Sequence, residues 1–479
     1  MKSNNLATKT MSGIIWKFLE RFCAQGVSFI VSIILARILV PEDFGNVAMI
    51  FIFIALADVF INSGFATALI QKKDADDLDY STMFYSSLIS SILIYFVIFL
   101  CAPLVGKFYN NDYLILLLRV FALRIPISVY NSIQHAYVSN KMLFKKFFFS
   151  TLIGTIISGI IGIIMAYRGY GVWSLIAQYF INTIIDTLIL IITVPWKPKL
   201  MFSYVRAKKL MSYGSKVLLA DLSGTFFDQL RGLLIGKKYT SSDLAFYEKG
   251  NKFPTFISNN ITASIMAVLF PALSKISNNV IKVKKATRLA VQVLSFVMYP
   301  ILFGLIICAK PIVIVLLTEK WVDSIIYLQL LSLASIINLV SSVSLQTIKA
   351  IGRSDVLLKL EFIKKPFFLI LLIIGINYSV KGVAIFYVLY TIIGSLINMI
   401  ALKKYINYNL IDQLKDISIP LLGSIIMAAT IYIVKIPTNN MLLILIVDII
   451  IGILVYFVFM IIAKPSSYVY LKKNLFKGI

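Results

Sequence analysis

Residues 441–463 read MLLILIVDIIIGILVYFVFMIIA, an unbroken apolar run whose single charge is Asp448. At 1.5 Å per residue the run is about 34 Å long as a helix, enough to cross a hydrocarbon core of ~30 Å. A helix that is apolar on every face has no side to offer to water, so it belongs in a membrane.

Working outward, the same test marks thirteen further stretches, roughly 13–39, 43–65, 80–105, 112–138, 147–167, 171–195, 210–236, 243–273, 285–309, 323–349, 356–377, 381–402 and 416–435. The composition agrees. Of 479 residues, 59% are apolar and 14% charged, whereas soluble domains carry about 25% charged residues. A water-soluble globule, a disordered chain and a disulfide-framework secreted domain are excluded. The first stretch is too long for a cleaved signal peptide and carries Glu20 and Arg21. No connection is long enough for a separate soluble domain. The expected fold is an all-α polytopic membrane protein of about fourteen transmembrane helices.

The net charge of +25 does not point to nucleic acid, because no hydrophilic surface is left to carry a basic patch. It points to orientation. One set of connections and the two termini hold twenty-seven basic residues, among them Lys72, Lys145, Lys199, Arg206, Lys284, Arg353 and Lys404; the opposite set holds nine, among them Arg37, Lys107, Arg168 and Lys381. Basic residues mark the cytoplasmic side. An even number of spans then places both termini in the cytoplasm.

Metal and covalent chemistry are nearly empty. Cys23, Cys101 and Cys308 lie far apart in apolar segments, and the single histidine, His135, builds neither a zinc site nor a triad. Without a glycine-rich phosphate loop, ATP does not power the protein. The reading is that of a non-enzyme with no metal and no cofactor, and His135 is read as a packed or interfacial residue.

Two stretches are related. Residues 35–45 (LARILVPEDFG) and 235–245 (IGKKYTSSDLA) each join two spans through a short turn, and at an offset of 200 Asp43 falls on Asp243. Near an offset of 212, residues 134–141 (QHAYVSNK) lie over 346–353 (QTIKAIGR), and Gly171-Val172 over Gly382-Val383 at 211. Matches in one order at nearly constant offset indicate a duplication. The expected organisation is an N-lobe of helices 1–6 (residues 1–209), a C-lobe of helices 7–12 (210–403) and a terminal pair with a cytoplasmic tail (404–479). Parallel repeats of this kind serve transporters that bind between lobes and rock.

The spans also carry charges, which cost on the order of 2.5–3.5 kcal/mol each at the bilayer centre unless they face water or each other. Asp228 with Arg231, Glu248 with Lys252 and Glu361 with Lys365 have helical spacing for local pairs. Asp58, Asp186 and Asp448 read as isolated acids. The remainder is basic and spread over both lobes, so a hydrated inter-lobe cavity of positive potential is expected, suited to a phosphate or diphosphate. Its candidate cations are Arg21, Arg119, Arg124, Lys249, Lys252 and Lys364. Candidate carriers of a coupling ion, H+ or Na+, are Glu20, Asp221 and Glu248.

The run ending in LARILVPEDFG, with residues 62–65 (NSGF) and 68–71 (ALIQ), resembles Wzx-type polysaccharide transporters, in the colanic and teichuronic acid exporter branch of the multidrug/oligosaccharidyl-lipid/polysaccharide exporter superfamily. Residues 245–254 (AFYEKGNKFP) are similar to the span-8 segment of lipid II flippases. The resemblance covers essentially the whole chain. It implies two MATE-like six-helix lobes in a bacterial inner membrane and an undecaprenyl-diphosphate-linked glycan as cargo, moved for cell-surface polysaccharide synthesis. Membrane lipids, a glycan polymerase and glycosyltransferases are the implied partners. The alternatives are an ion-coupled drug antiporter on the same fold, which would favour an acidic cavity, and a membrane glycan polymerase or ligase, which would need a large outer loop.

Overall fold

A computed structural model describes residues 2–72, 74–434 and 437–469; within these, the side chains of 2–15, 17, 18, 21, 267 and 268 lie outside the description. Arg21, one of the expected cavity cations, is among them.

The described chain is helical, and two compact units divide it, Met1–Ala245 and Phe246–Ile479. The first unit holds α1 (Lys2–Ile38), α2 (Pro41–Gln71), α3 (Asp77–Tyr109), α4 (Tyr113–Asn140), α5 (Phe144–Tyr167), α6 (Val172–Thr193) and α7 (Tyr204–Lys238). Helix α8 (Ser241–Lys275) leads into the second unit. That unit continues with α9 (Val280–Ile307), a short helix Ala309–Leu317, α10 (Ser324–Ala350), α11 (Ser354–Tyr378), α12 (Val380–Ile406), α13 (Leu410–Ile433) and α14 (Met441–Ala463). Among the described residues, eleven of these helices are long and apolar enough to cross a membrane. The expected count of fourteen also takes in α1, whose described apolar part, Phe22–Ile38, is shorter, and α7 and α11, which bear several charges along their length.

The helix boundaries repeat. Helices α1 and α7 end at Ile38 and Lys238, and α2 and α8 begin at Pro41 and Ser241, both at an offset of 200. The two turns use different chemistry for the same job. Pro41 opens α2 at a position whose N–H would be unpaired anyway, followed by Glu42 and Asp43 at the positive end of the helix dipole. Before α8, Thr240 and Asp243 form a reciprocal cap, with the Asp243 N–H donating to Thr240 Oγ1 and the Thr240 N–H to Asp243 Oδ2, each 3.1 Å.

Helix α7 lies along α2, and glycines set how closely. A Cβ on Gly45 of α2 would fall 1.9 Å from the carbonyl oxygen of Ser241, the first residue of α8, and one on Gly236 of α7 would fall 2.9 Å from the Tyr109 ring of α3 and 3.2 Å from Met49 of α2. Near the other end a Cβ on Gly214 would fall 2.1 Å from the Gly64 carbonyl oxygen. Gly214 and Gly236 are about 33 Å apart along the axis, so this packing extends over roughly the thickness of a bilayer. Gly64 belongs to a π-helical stretch, Phe60–Ala66, which contains the NSGF motif. Widening the helix there turns a backbone carbonyl toward α7, which only a glycine partner admits. Helices α5, α6 and α1 use the same device, with Gly159 against Val31 and Gly162 against Gln178.

Polar clamps close the basic-rich ends. In the first unit Arg206 donates two bonds to Asp76 (2.6 and 2.7 Å), and Lys72 pairs with buried Asp79, which also shares a capping box with Asp76. Arg206 holds the Asp76 carboxyl well below the usual carboxylate range. In the second unit Asp416 accepts two bonds from Arg288, one from Gln292 and one from the Tyr408 hydroxyl, all within 2.8 Å. Burial and the Asp416 bond push the Tyr408 hydroxyl far up. The terminal pair α13–α14 docks on α9 through a core of Phe296, Met427, Ile431, Tyr456 and Met460.

Proline kinks are answered across helices. Pro103 in α3 and Pro300 in α9 each lack an N–H, so the carbonyls four residues earlier, on Phe99 and Phe296, lose their helical partner. Arg119 Nε donates to Phe99 O at 3.2 Å, and the Tyr456 hydroxyl donates to Phe296 O at 2.7 Å.

Candidate functional site

The feature that sets the first unit apart from a plain helical bundle is a break in α4. Its first half, Tyr113–Ala122, and its second, Arg124–Asn140, are separated at Leu123, and Pro126 sits in the first turn of the second half. Proline is tolerated in a first turn and not in a helix interior, so the restart falls where the sequence allows it. Arg124 therefore opens a half-helix about 17 Å below the start of α4, near mid-membrane.

Its guanidinium meets an acid. Arg124 Nη2 donates to Asp58 Oδ2 of α2 at 2.6 Å, and the two side chains are 14% and 22% exposed. Arg124 Nε is buried with no hydrogen-bond partner among the described residues. Aromatic rings wall the pair. The Phe121 ring centroid lies 5.4 Å from the guanidinium carbon, and Phe51, Phe121 and Tyr179 have centroids 5.8–6.4 Å apart. Two turns further along, Asn131 donates to Asp186 of α6 at 2.5 Å.

The sequence reading treats Asp58, Asp186 and Asp448 as isolated acids, and the structure corrects this. Asp58 has Arg124, Asp186 has Asn131, and Asp448 lies 3.9 Å from the Cys308 thiol. Burial without a partner is what the membrane penalises, and packing supplies a partner in each case.

The other candidates are placed as follows. Arg119 bonds the Phe99 carbonyl and stacks 4.2 Å over the Phe99 ring. Lys249 is buried with its ammonium 5.3 Å from the centre of the Trp321 ring, and Lys252 is half-buried a turn away on α8. Lys364 bonds Glu361 at 2.5 Å, so the acid expected opposite Lys365 takes the neighbour three residues on. Glu20 is buried, whereas Asp221 and Glu248 are exposed. His135 stacks on Phe147 with ring centroids 3.9 Å apart.

Helix α7 carries the second element of the site. Lys216, Asp221, Ser223, Gly224 and Asp228 all lie on exposed positions along its middle. Facing hydrocarbon, each charge would cost on the order of 2.5–3.5 kcal/mol. Among the described residues no cluster of His, Cys, Asp and Glu is arranged to hold a metal.

Residues 34–326 match the model of a family described as polysaccharide biosynthesis protein. The chain belongs to this family. Its curated relatives agree with the resemblance carried by PEDFG and NSGF–ALIQ. The succinoglycan biosynthesis transport protein ExoT of Rhizobium meliloti is 25% identical over 71% of this chain and 69% of its own length. The lipopolysaccharide biosynthesis protein WzxC of Escherichia coli is 22% identical over 84% and 82%, and the teichuronic acid biosynthesis protein TuaB of Bacillus subtilis is 23% identical over 73% of each. Among solved structures, the lipid II flippase MurJ in an inward closed conformation superposes with a TM-score of 0.77 at 19% identity, over 96% of this chain and all of that one. An inward-facing MATE family transporter gives 0.64 at 16% identity, over 80% and 94%. The family member described here is thus a multi-pass helical membrane protein with the fold of those two solved structures.

Proposed function

We propose that this protein moves a polyprenyl-diphosphate-linked oligosaccharide repeat unit from the cytoplasmic to the outer leaflet of a bacterial inner membrane by alternating access, for cell-surface polysaccharide synthesis. The observation that carries the reading is Arg124, a guanidinium held at mid-membrane on the first residue of a half-helix, with an unused donor. The start of a helix favours anions, and arginine matches phosphate oxygens with two parallel donors. The exposed side of α7 offers hydroxyls and charges for sugars, while the prenyl chain stays in lipid. Within the first unit, Arg21 is proposed as a further contact to the diphosphate and Arg119 as a group that holds the helices bearing it; Lys249, Lys252 and Lys364 are proposed as the second unit's own cations for the cargo. The excess of basic residues on one side supports cytoplasmic termini. The relatives named for succinoglycan, lipopolysaccharide and teichuronic acid support a surface glycan as the cargo.

The test is reconstitution in proteoliposomes loaded with an undecaprenyl-diphosphate-linked saccharide, scored by a membrane-impermeant reagent that modifies only outward-facing sugars. The expected result is that the protein raises modification from about one half to nearly all of the saccharide, and moves no cationic dye. Dye transport without sugar transfer would favour a drug antiporter instead.

A further inference from the structure

Resting on the proposed function, we infer that Asp58 and the substrate diphosphate compete for Arg124, and that Asp58 takes up one proton whenever the diphosphate displaces it. The pair is then the proton-linked element of this chain, at a residue distinct from Glu20, Asp221 and Glu248.

The geometry supports exchange over a permanent clamp. Arg288 grips Asp416 with two bonds, and Gln292 and Tyr408 complete that carboxylate. Arg124 reaches Asp58 through one bond and keeps Nε in reserve. Neither side chain is sealed, with 14% and 22% exposure. At the start of the half-helix Arg124–Asn140 the leading N–H groups have no partner within the helix, so an anion is favoured there whatever its source. Without substrate the resident anion is Asp58.

When a diphosphate arrives, an ionised Asp58 is repelled by it. Two like charges in contact away from bulk water repel strongly. The backbone that carries Asp58 is held in place, because α2 meets Ser241 of α8 at Gly45 and Gly214 of α7 at Gly64. Protonation removes the conflict: the carboxylate takes one proton from water, becomes neutral, and returns the proton to water when the diphosphate leaves. The proton travels with the diphosphate, and one negative charge fewer crosses the membrane.

Other titratable groups lie on the helices packed against α2 and α4. On α6, Tyr179 lies within electrostatic reach of Arg124, and Asp186 is bonded to Asn131. On α3, Tyr109 packs on Phe53, and α7 contributes Lys216 and Asp221 on exposed positions. The hydrogen-bonded partner of Asp58 among the described residues is Arg124.

The experiment is proton uptake by the purified full chain in weakly buffered detergent on addition of undecaprenyl diphosphate, for wild type and Asp58→Asn. The variant is expected to bind, and the wild type to take up about one more proton per bound diphosphate than the variant does. The comparison cancels the ionisation of the diphosphate itself. Equal uptake by the two overturns the inference and leaves the proposed substrate standing; no binding by the wild type overturns both. Should Asp58→Asn not fold, the wild type alone decides. Its affinity is expected to change about tenfold per pH unit beyond the ionisation of the diphosphate, and a flat profile overturns the inference.

Discussion

Replacing Arg124 by Gln is expected to lower saccharide transfer at least 100-fold. The guanidinium supplies charge-assisted bonds, each worth about 1.5–3 kcal/mol, and 2.7 kcal/mol is a factor of about 100. The variant also leaves the half-buried Asp58 carboxylate without its partner, which costs a part of the about 3–5 kcal/mol lost when a fully buried pair is broken. Transport and folding are separable. In the double variant Asp58→Asn with Arg124→Gln the orphaned charge is gone, so the yield of monodisperse protein is expected to recover while transfer stays low. A double variant that transported as the wild type would show that Arg124 serves packing only. The measurement is transfer per folded molecule in proteoliposomes, normalised to protein that elutes as a single species.

The second large effect is steric. Gly45→Ala and Gly214→Ala are each expected to cost about 3 kcal/mol or more, because the added Cβ would lie 1.9 and 2.1 Å from the carbonyl oxygens of Ser241 and Gly64. Backbone cannot rotate aside as a side chain does, so the start of α8 must move off α2 in the first variant and α7 in the second. Gly26→Ala and Gly224→Ala are the controls, since nothing lies within 4 Å of a Cβ at either position. There the exchange is expected to be neutral or to stabilise by about 0.5–1 kcal/mol through helix propensity. Thermal unfolding in detergent reads all four, and equal midpoints would contradict the packing described for α7.

The reach of the sequence can be stated residue by residue. The run at 441–463 and its counterparts announce a membrane fold because apolar length is a local property. The Thr240–Asp243 cap and the Pro41 start are local too, and the offset of 200 falls directly on helix boundaries. Arg119 was legible in principle: Pro103 strands the Phe99 carbonyl, and a cation in the next helix answers it. The Asp58–Arg124 pair was not legible. Asp58 and Arg124 each look unmatched along the chain, and only the register between α2 and α4, set by packing, brings them together. A mid-membrane acid on one span and a mid-membrane arginine on a neighbour were the available signal. The contact of Gly45 with Ser241 is likewise non-local, though the PEDFG and SSDLA turns lie at matching offsets.

The most direct measurement compares binding of undecaprenyl diphosphate and of undecaprenol, which shares the chain and lacks the phosphates, to the purified protein at fixed pH and salt. If a membrane-embedded guanidinium recognises the headgroup, the diphosphate binds at least about 100-fold more tightly, and Arg124→Gln removes most of that difference. Equal affinity for the two lipids would contradict recognition by charge.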